Sequence, residues 1–192
     1  MIWTALVPLK QPEARKSRLA GRLSPAARQR LSLLLFERLV GVLRSVPSIG
    51  PILPLVEQAP EGWSGDWIRD QGRGLNAELE VARATLGTAP LLVIHADLPL
   101  VAPADVAALL ARAEEGGAAI APDRHGEGTN AIALMDGRVF TFAFGPHSLA
   151  RHRATPNGPS VLVERMGLGL DCDTPEDLDR AIAAGLAFPH GD

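Results

Sequence analysis

Apolar residues recur along this chain in two alternating rhythms. Ile2 to Leu9 is a short run of strand-compatible residues, closed by Pro8 and followed by a polar stretch from Lys10 to Ser17. That pattern predicts a buried strand feeding a working loop. Leu31, Leu34, Leu35, Leu39, Val42 and Leu43 then return at helical spacing. With Ser24 as N-cap and Pro25 at the first helical position, they predict a helix over 25–44. Ile49 to Val56 reads as a weaker strand. Its Pro51 and Pro54 predict a sheet edge or an irregular segment, because proline cannot donate to a strand ladder.

The same alternation continues downstream. Gly72-Arg73-Gly74 opens a predicted helix over 75–86, and Leu91-Leu92-Val93-Ile94 is the strongest buried strand of the chain. Pro103 starts another helix, 118–122 returns as a strand, 123–130 is a loop and 131–135 a further strand. A short helix over 146–153 and an extended segment over 161–170 precede a last helix, which Thr174-Pro175 caps and which runs to about residue 186. Strands alternating with helices predict an α/β fold. The expectation is one domain over 1–192, a mostly parallel twisted sheet with helices on both faces. Ligands of such sheets sit beyond the carboxyl ends of the strands, so the polar residues just after each apolar run carry the interest.

Composition narrows the partners. The 192 residues are 46% hydrophobic, ample for a sizeable core, and 19 basic against 22 acidic residues leave a net charge of −3 without long single-sign blocks. The charge footprint of a nucleic-acid or membrane-surface binder is missing, which favours small-molecule partners. Cys172 is the lone cysteine, so an internal disulfide and a cysteine-rich zinc site are excluded and a reducing, cytoplasmic setting is expected. No apolar run approaches a membrane span, and the first residues read as a strand rather than a signal peptide. Oligomeric state is not legible, and a homodimer stays open.

Four clusters follow strand ends. Lys10, Lys16 and Arg18 place three cations after the first strand, where they could surround a triphosphate, although a solvated loop explains them equally well. The Walker A pattern is absent, which disfavours P-loop NTPases. Asp97 stands where a strongly apolar strand ends, suited to a Mg²⁺ ion that takes its other ligands from phosphate and water, or else to capping the next turn. Asp171 and Asp173 point to the same side of an extended chain, and one of them could complete a metal site with Asp97. Glu176 and Asp177 suit the positive end of the following helix. Gly126-Glu127-Gly128-Thr129-Asn130 and Phe144-Gly145-Pro146-His147-Ser148 could bring backbone, a hydroxyl and free amides to an anion, or be two ordinary turns. The histidines lack zinc-protease spacing, no nucleophile elbow is present, and Trp63 and Trp67 read as packing.

Taken in order, Val7-Pro8-Leu9-Lys10, Lys16-Ser17-Arg18-Leu19, Ser24-Pro25-x-x-Arg28, Gly74-Leu75-Asn76, Ala96-Asp97-Leu98-Pro99-Leu100, Pro122-Asp123-Arg124, Gly128-Thr129-Asn130-Ala131, Phe144-Gly145-x-x-Ser148 and Asp171-x-Asp173-Thr174-Pro175 resemble one family from Ile2 to about Leu178. It is the CofC, or FbiD, guanylyltransferases of coenzyme F-420 biosynthesis. The resemblance implies a nucleotide-diphospho-sugar transferase-like, Rossmann-like fold. It also implies Mg²⁺-dependent transfer from GTP to a small phospho-acid, either 2-phospho-L-lactate, phosphoenolpyruvate or 3-phospho-D-glycerate, with release of pyrophosphate. By the same resemblance Thr129, Gly145 and Ser148 hold the acceptor, and Asp97, Asp171 and Asp173 hold the metal. Lys10, Lys16, Arg18, Gly74 and Asn76 face the nucleotide, with Lys16, Arg18 and Asp97 carrying the catalysis. A molybdopterin-type nucleotidyltransferase would carry a glycine-rich loop after the first strand, and this chain has none. A silent GTP-binding module would have lost acids or cations that are all in place here.

Overall fold

The computed structural model describes residues 1–9, 16–135, 140–159 and 161–188. Its first strand, β1 (Trp3–Pro8), alternates strictly between two buried faces. Trp3, Ala5 and Val7 enter one core cluster and Leu6 the other, the period-two signature of a strand covered on both sides. Next comes α1 (Pro25–Arg44), whose Ser24 accepts a hydrogen bond from Ala27 N at 3.2 Å with Pro25 in the first turn, the predicted cap and worth about 1 kcal/mol. The chain continues through β2 (Ile49–Val56), β3 (Ile68–Arg69), α2 (Leu75–Leu86), β4 (Leu91–Ile94), α3 (Pro103–Gly116), β5 (Ala118–Pro122) and β6 (Thr129–Leu134). It finishes with α4 (Ser148–Ala154), β7 (Val161–Leu162), α5 (Met166–Gly169) and α6 (Pro175–Ala183).

The strands form one sheet in the order β3-β2-β1-β4-β6-β5-β7. All pairings are parallel except the two made by β6, which runs antiparallel between β4 and β5. The expected mostly parallel sheet is therefore present with one reversed strand. On one face α1 and α3 bury Phe36, Leu39, Leu43, Val106 and Leu109 against the sheet; on the other, α2 supplies Leu79 and Ala82 beside Phe140, Phe142, Phe144 and Leu149. A third cluster packs Leu178 and Ala181 of α6 against Leu31 and Leu35 of α1, with Cys172 between them. Each such leucine contributes about 2 kcal/mol by leaving water.

Three expectations need correction. The strand at 49–56 is an irregular segment, the other reading of its prolines, and not a sheet edge: β2 lies inside β3, and its register with β1 shifts between Ile49 and Ile52. Its partner β3 pairs only with Leu55 and Val56, so Pro51 and Pro54 meet no strand on that side and cost no ladder bond. The segment over 161–170 is not extended throughout, since only Val161–Leu162 is strand and Met166–Gly169 is a helical turn. A Cβ at Gly167 would stand 2.1 Å from Asp105 Oδ2, so glycine is what lets that turn approach α3. The helix expected over 146–153 starts at Ser148, because Gly145 at φ +116° and His147 at φ +54° break the chain before it.

Candidate active site

Starting at β1, the chain moves outward to β2 and β3 and then returns to the other side of β1 as β4. The crevice between the carboxyl ends of β1 and β4 is the switch point at which open α/β sheets bind ligands. A cavity of about 780 Å³ opens there, within the usual range for small-molecule sites. Lys16 and Arg18 reach it from the loop after β1, His95 and Asp97 from β4, Asp171 and Asp173 from the segment before α6, and Thr129, Gly145 and Ser148 from the far side.

Lys16 joins the two sides of the crevice. Its ammonium lies 2.9 Å from Asp97 Oδ2 and 3.2 Å from Asp173 Oδ1, with its side chain only 6% exposed. Burial opposes the charge, but Asp97 and Asp173 outweigh it and hold the lysine above its ordinary value. The backbone of Lys16 is left-handed, at φ +54°, a conformation costing a non-glycine residue on the order of 1 kcal/mol and recurrent at functional sites. Asp97 does not cap the next helix; that place is taken by Ala102, whose N–H donates to Asp105 Oδ2 at 3.0 Å. Asp97 O instead accepts Cys172 N–H at 3.0 Å, which docks the 171–173 segment beside it. Alternation then turns Asp171 and Asp173 to the cavity and Cys172 into the core, as the sequence predicts. Burial first, then the charge of Asp97, raises the Asp171 carboxyl to about 6.

Among the described residues, no three histidine, cysteine or acidic side chains converge into a metal cage on their own. The donor set nevertheless suits a hard cation that leans on a nucleotide for most of its ligands: it is all carboxylate, and a positive charge already sits between two of its members.

On the far side of the cavity, Thr129 and Ser148 are almost wholly buried. Thr129 Oγ1 is 3.0 Å from His152 Nδ1. Two of the amides at the start of the short helix are already engaged: Ser148 N–H donates to Gly145 O and Leu149 N–H to Glu127 O, both at 3.1 Å. The run 142–144 behaves as a strand whose partners are side chains. Glu80 accepts Phe142 N–H at 2.8 Å, His152 Nε2 accepts Ala143 N–H at 2.8 Å, and Arg151 Nη2 donates to the carbonyls of Ala143 and Phe144.

Two residues expected at the nucleotide sit differently. Neither Gly74 nor Asn76 lines the cavity: Gly74, at φ +91°, is the N-cap of α2, and the Asn76 amide is occupied by Phe144. Nearby, buried Glu78 accepts Gln71 N–H at 2.8 Å and Arg73 N–H at 3.0 Å, closing the loop before α2. Lys10 lies outside the described residues. Sequence reasoning quoted Asn130 only as part of a turn motif and did not foresee that its Nδ2 donates to Leu168 O at 2.8 Å and Gly169 O at 3.2 Å, and it missed the role of His152. Nothing local in the sequence marks either, since their partners lie 38 and 23 positions away. Trp63 packs on Phe36, ring centroids 5.7 Å apart, as expected. Thr174 caps α6 with Asp177, whose carboxylate accepts Thr174 N–H at 2.8 Å and also pairs with Arg124 at 2.7 Å. Among the described residues, no helix is long and apolar enough to cross a membrane.

The family model described as guanylyl transferase CofC like matches residues 3–187. The chain is 42% identical to the phosphoenolpyruvate guanylyltransferase of Rubrobacter xylanophilus, with 94% of each chain covered. It is 36% identical to the protein of that name from Sphaerobacter thermophilus, covering 93% of this chain and 92% of the relative. Among solved structures, a Desulfovibrio desulfuricans protein assigned to the nucleotide-diphospho-sugar transferases superposes with a TM-score of 0.73 at 18% identity, covering 93% and 86% of the two chains. The 2-C-methyl-D-erythritol 4-phosphate cytidylyltransferase of Thermus thermophilus gives 0.54 at 19% identity, covering 96% and 98%. These last two likenesses establish the fold.

Proposed function

Because this chain belongs to the CofC-like guanylyltransferase family, we propose that it transfers the guanylyl group of GTP to phosphoenolpyruvate, releasing pyrophosphate, as a step toward coenzyme F-420. The observation that carries this reading is Lys16 held between Asp97 and Asp173 in a cavity whose opposite wall offers the buried hydroxyls of Thr129 and Ser148. One end is built for polyphosphate and a cation, the other for a small anion.

The chemistry needs no covalent intermediate. A phosphate oxygen of the acceptor attacks the α-phosphorus in line; the new P–O bond forms as the α–β bridging bond breaks, and pyrophosphate leaves with the electron pair. The attacking oxygen is already anionic, so no base is required. The lone thiol is unsuited to act as a nucleophile: burial pushes Cys172 up to about 12 and it faces the core. What remains for the protein is positioning and charge neutralisation. Lys16, kept charged by its carboxylates, offsets the repulsion between two anions, and Arg18 at the cavity mouth stabilises charge growing on the leaving group. Asp97, Asp171 and Asp173 would hold Mg²⁺, which when bound polarises the α-phosphate. Thr129 and Ser148 orient the acceptor.

Pyrophosphate release tests the proposal directly, with GTP, ATP and CTP each set against phosphoenolpyruvate, 2-phospho-L-lactate and 3-phospho-D-glycerate. Turnover is expected with GTP and phosphoenolpyruvate. Turnover with another acceptor alone moves the substrate assignment, and silence from folded protein with every pair removes the catalytic one.

A further inference from the structure

We propose that His152 is a positioning residue that fixes the Thr129 hydroxyl as a hydrogen-bond donor to the anionic acceptor, an inference that rests on the function proposed above. His152 is fully buried in α4, between the rings of Phe140 and Phe144 at centroid distances of 5.6 and 4.7 Å. Its two nitrogens are assigned by their partners. Nε2 lies 2.8 Å from the backbone nitrogen of Ala143, and a backbone N–H can only donate, so Nε2 carries a lone pair. The single proton of the neutral ring is therefore on Nδ1. Nδ1 is 3.0 Å from Thr129 Oγ1, so the hydroxyl must accept there.

That acceptance decides what Thr129 offers a ligand. A hydroxyl has one hydrogen, and with its oxygen engaged by an imidazole N–H that hydrogen is left to donate. Thr129 lines the cavity beside Gly145 and Ser148, where carboxylate and phosphate oxygens only accept. A threonine free to rotate would spend part of its time with the wrong end toward an anion; this one is set in advance. Burial, assisted by Arg151 and His95, holds the His152 ring down to about 4, which keeps it neutral and keeps Nε2 free to receive Ala143. The same imidazole thus ties the 142–144 rail to β6.

Two measurements test this. Long-range ¹H–¹⁵N correlation of the wild-type imidazole at neutral pH is expected to show a protonated Nδ1 and a bare Nε2; an Nε2–H ring or an imidazolium overturns the proposal whether or not the enzyme turns over. Kinetics then separate positioning from support. Asparagine at 152 places an amide nitrogen near the Nδ1 position and can still donate to Thr129; glutamine places its terminal oxygen near Nε2 and can still receive Ala143. Both variants should melt at lower temperature. His152→Gln should raise the acceptor KM by about tenfold, clearly more than His152→Asn does, with the GTP KM unchanged, and Thr129→Val/His152→Gln should be no worse than Thr129→Val alone. Equal KM changes in the two His152 variants, a matching rise in GTP KM, or full multiplication of the single effects overturns it. Absence of pyrophosphate from the wild type overturns guanylyl transfer, and with it the acceptor contact, independently of the tautomer.

Discussion

Asn76 holds Phe144 by both edges of its amide: Nδ2 donates to the Phe144 carbonyl at 3.1 Å, and Phe144 N–H donates to Oδ1 at 2.7 Å. A side chain of α2 thereby completes a strand-like pairing with the run that ends at Gly145, so α2 sets the height of the cavity wall that carries Gly145 and Ser148. Asn76→Ala should cost about 2 kcal/mol, the loss of two partly buried backbone bonds, and lower the melting temperature by about 4–8 °C. It should raise the acceptor KM more than the GTP KM. A rise confined to GTP would return Asn76 to the nucleotide-contacting role that its sequence neighbourhood implies.

Asp97→Asn should leave the fold intact and remove turnover. It cancels one of the two carboxylates on Lys16 and one metal-suited oxygen set at once. Circular dichroism should be unchanged while pyrophosphate release drops by about a hundredfold or more. Chelation of divalent ions should silence the wild type in the same assay, with Mg²⁺ restoring it.

Buried His152 and half-buried Asp171 should pull the pH dependence of stability in opposite directions. His152 has a folded value of about 4 against an ordinary 6.5. The unfolded chain therefore binds more protons between those values, and stability is lost as pH falls through that window, by roughly 3 kcal/mol at most. Asp171 has a folded value of about 6 against 3.8; the folded chain binds the proton more tightly, so this group favours folding as pH falls from about 6 to 3.8. Thermal melts between pH 4 and 7 should show the two largely offsetting. Asp171→Asn should steepen the acid loss and His152→Asn should reduce it; parallel curves for all three proteins would contradict both assignments.

Glu78→Gln should be among the more destabilising conservative changes. The carboxylate is 1% exposed, and beyond the two loop amides it accepts Arg73 Nε at 3.2 Å and Nη2 at 2.7 Å. The hydrogen bonds from Arg73 hold it down to about 2 despite burial. Glutamine replaces one acceptor oxygen by an amide that faces donors, so a loss of about 2–4 kcal/mol is expected by denaturant titration.

Much of this was legible in advance because its causes are local. The apolar run of β1, the Ser24 and Thr174 caps and the Asp171/Asp173 alternation each depend on neighbours within a few residues, and each came out as read. What was not legible depends on distant partners. The reversal of β6 leaves no mark in Thr129 to Leu134, which would read as a buried strand in either direction. Asn76 and His152 are ordinary helix residues until Phe144 and Thr129 arrive beside them. Pro51 and Pro54 suggested an edge correctly in chemistry and wrongly in position, since β3 is too short to reach them.

The reversed strand has a mechanical consequence. Because β6 runs against β4 and β5, a single hairpin brings the end of β5 at Pro122 and the start of β6 at Thr129 to the same lip of the cavity, where His95 N–H meets Asn130 O at 2.9 Å. The 123–128 tip reaches from that lip to its neighbours: Arg124 N–H donates to Gly169 O at 2.8 Å, its guanidinium pairs with Asp177 at 2.7 Å, and Glu127 O accepts Leu149 N–H at 3.1 Å. One short turn thereby ties the segments in front of α4 and α6 together, so a change in its length would be felt at Ser148 and at Asp173 at once.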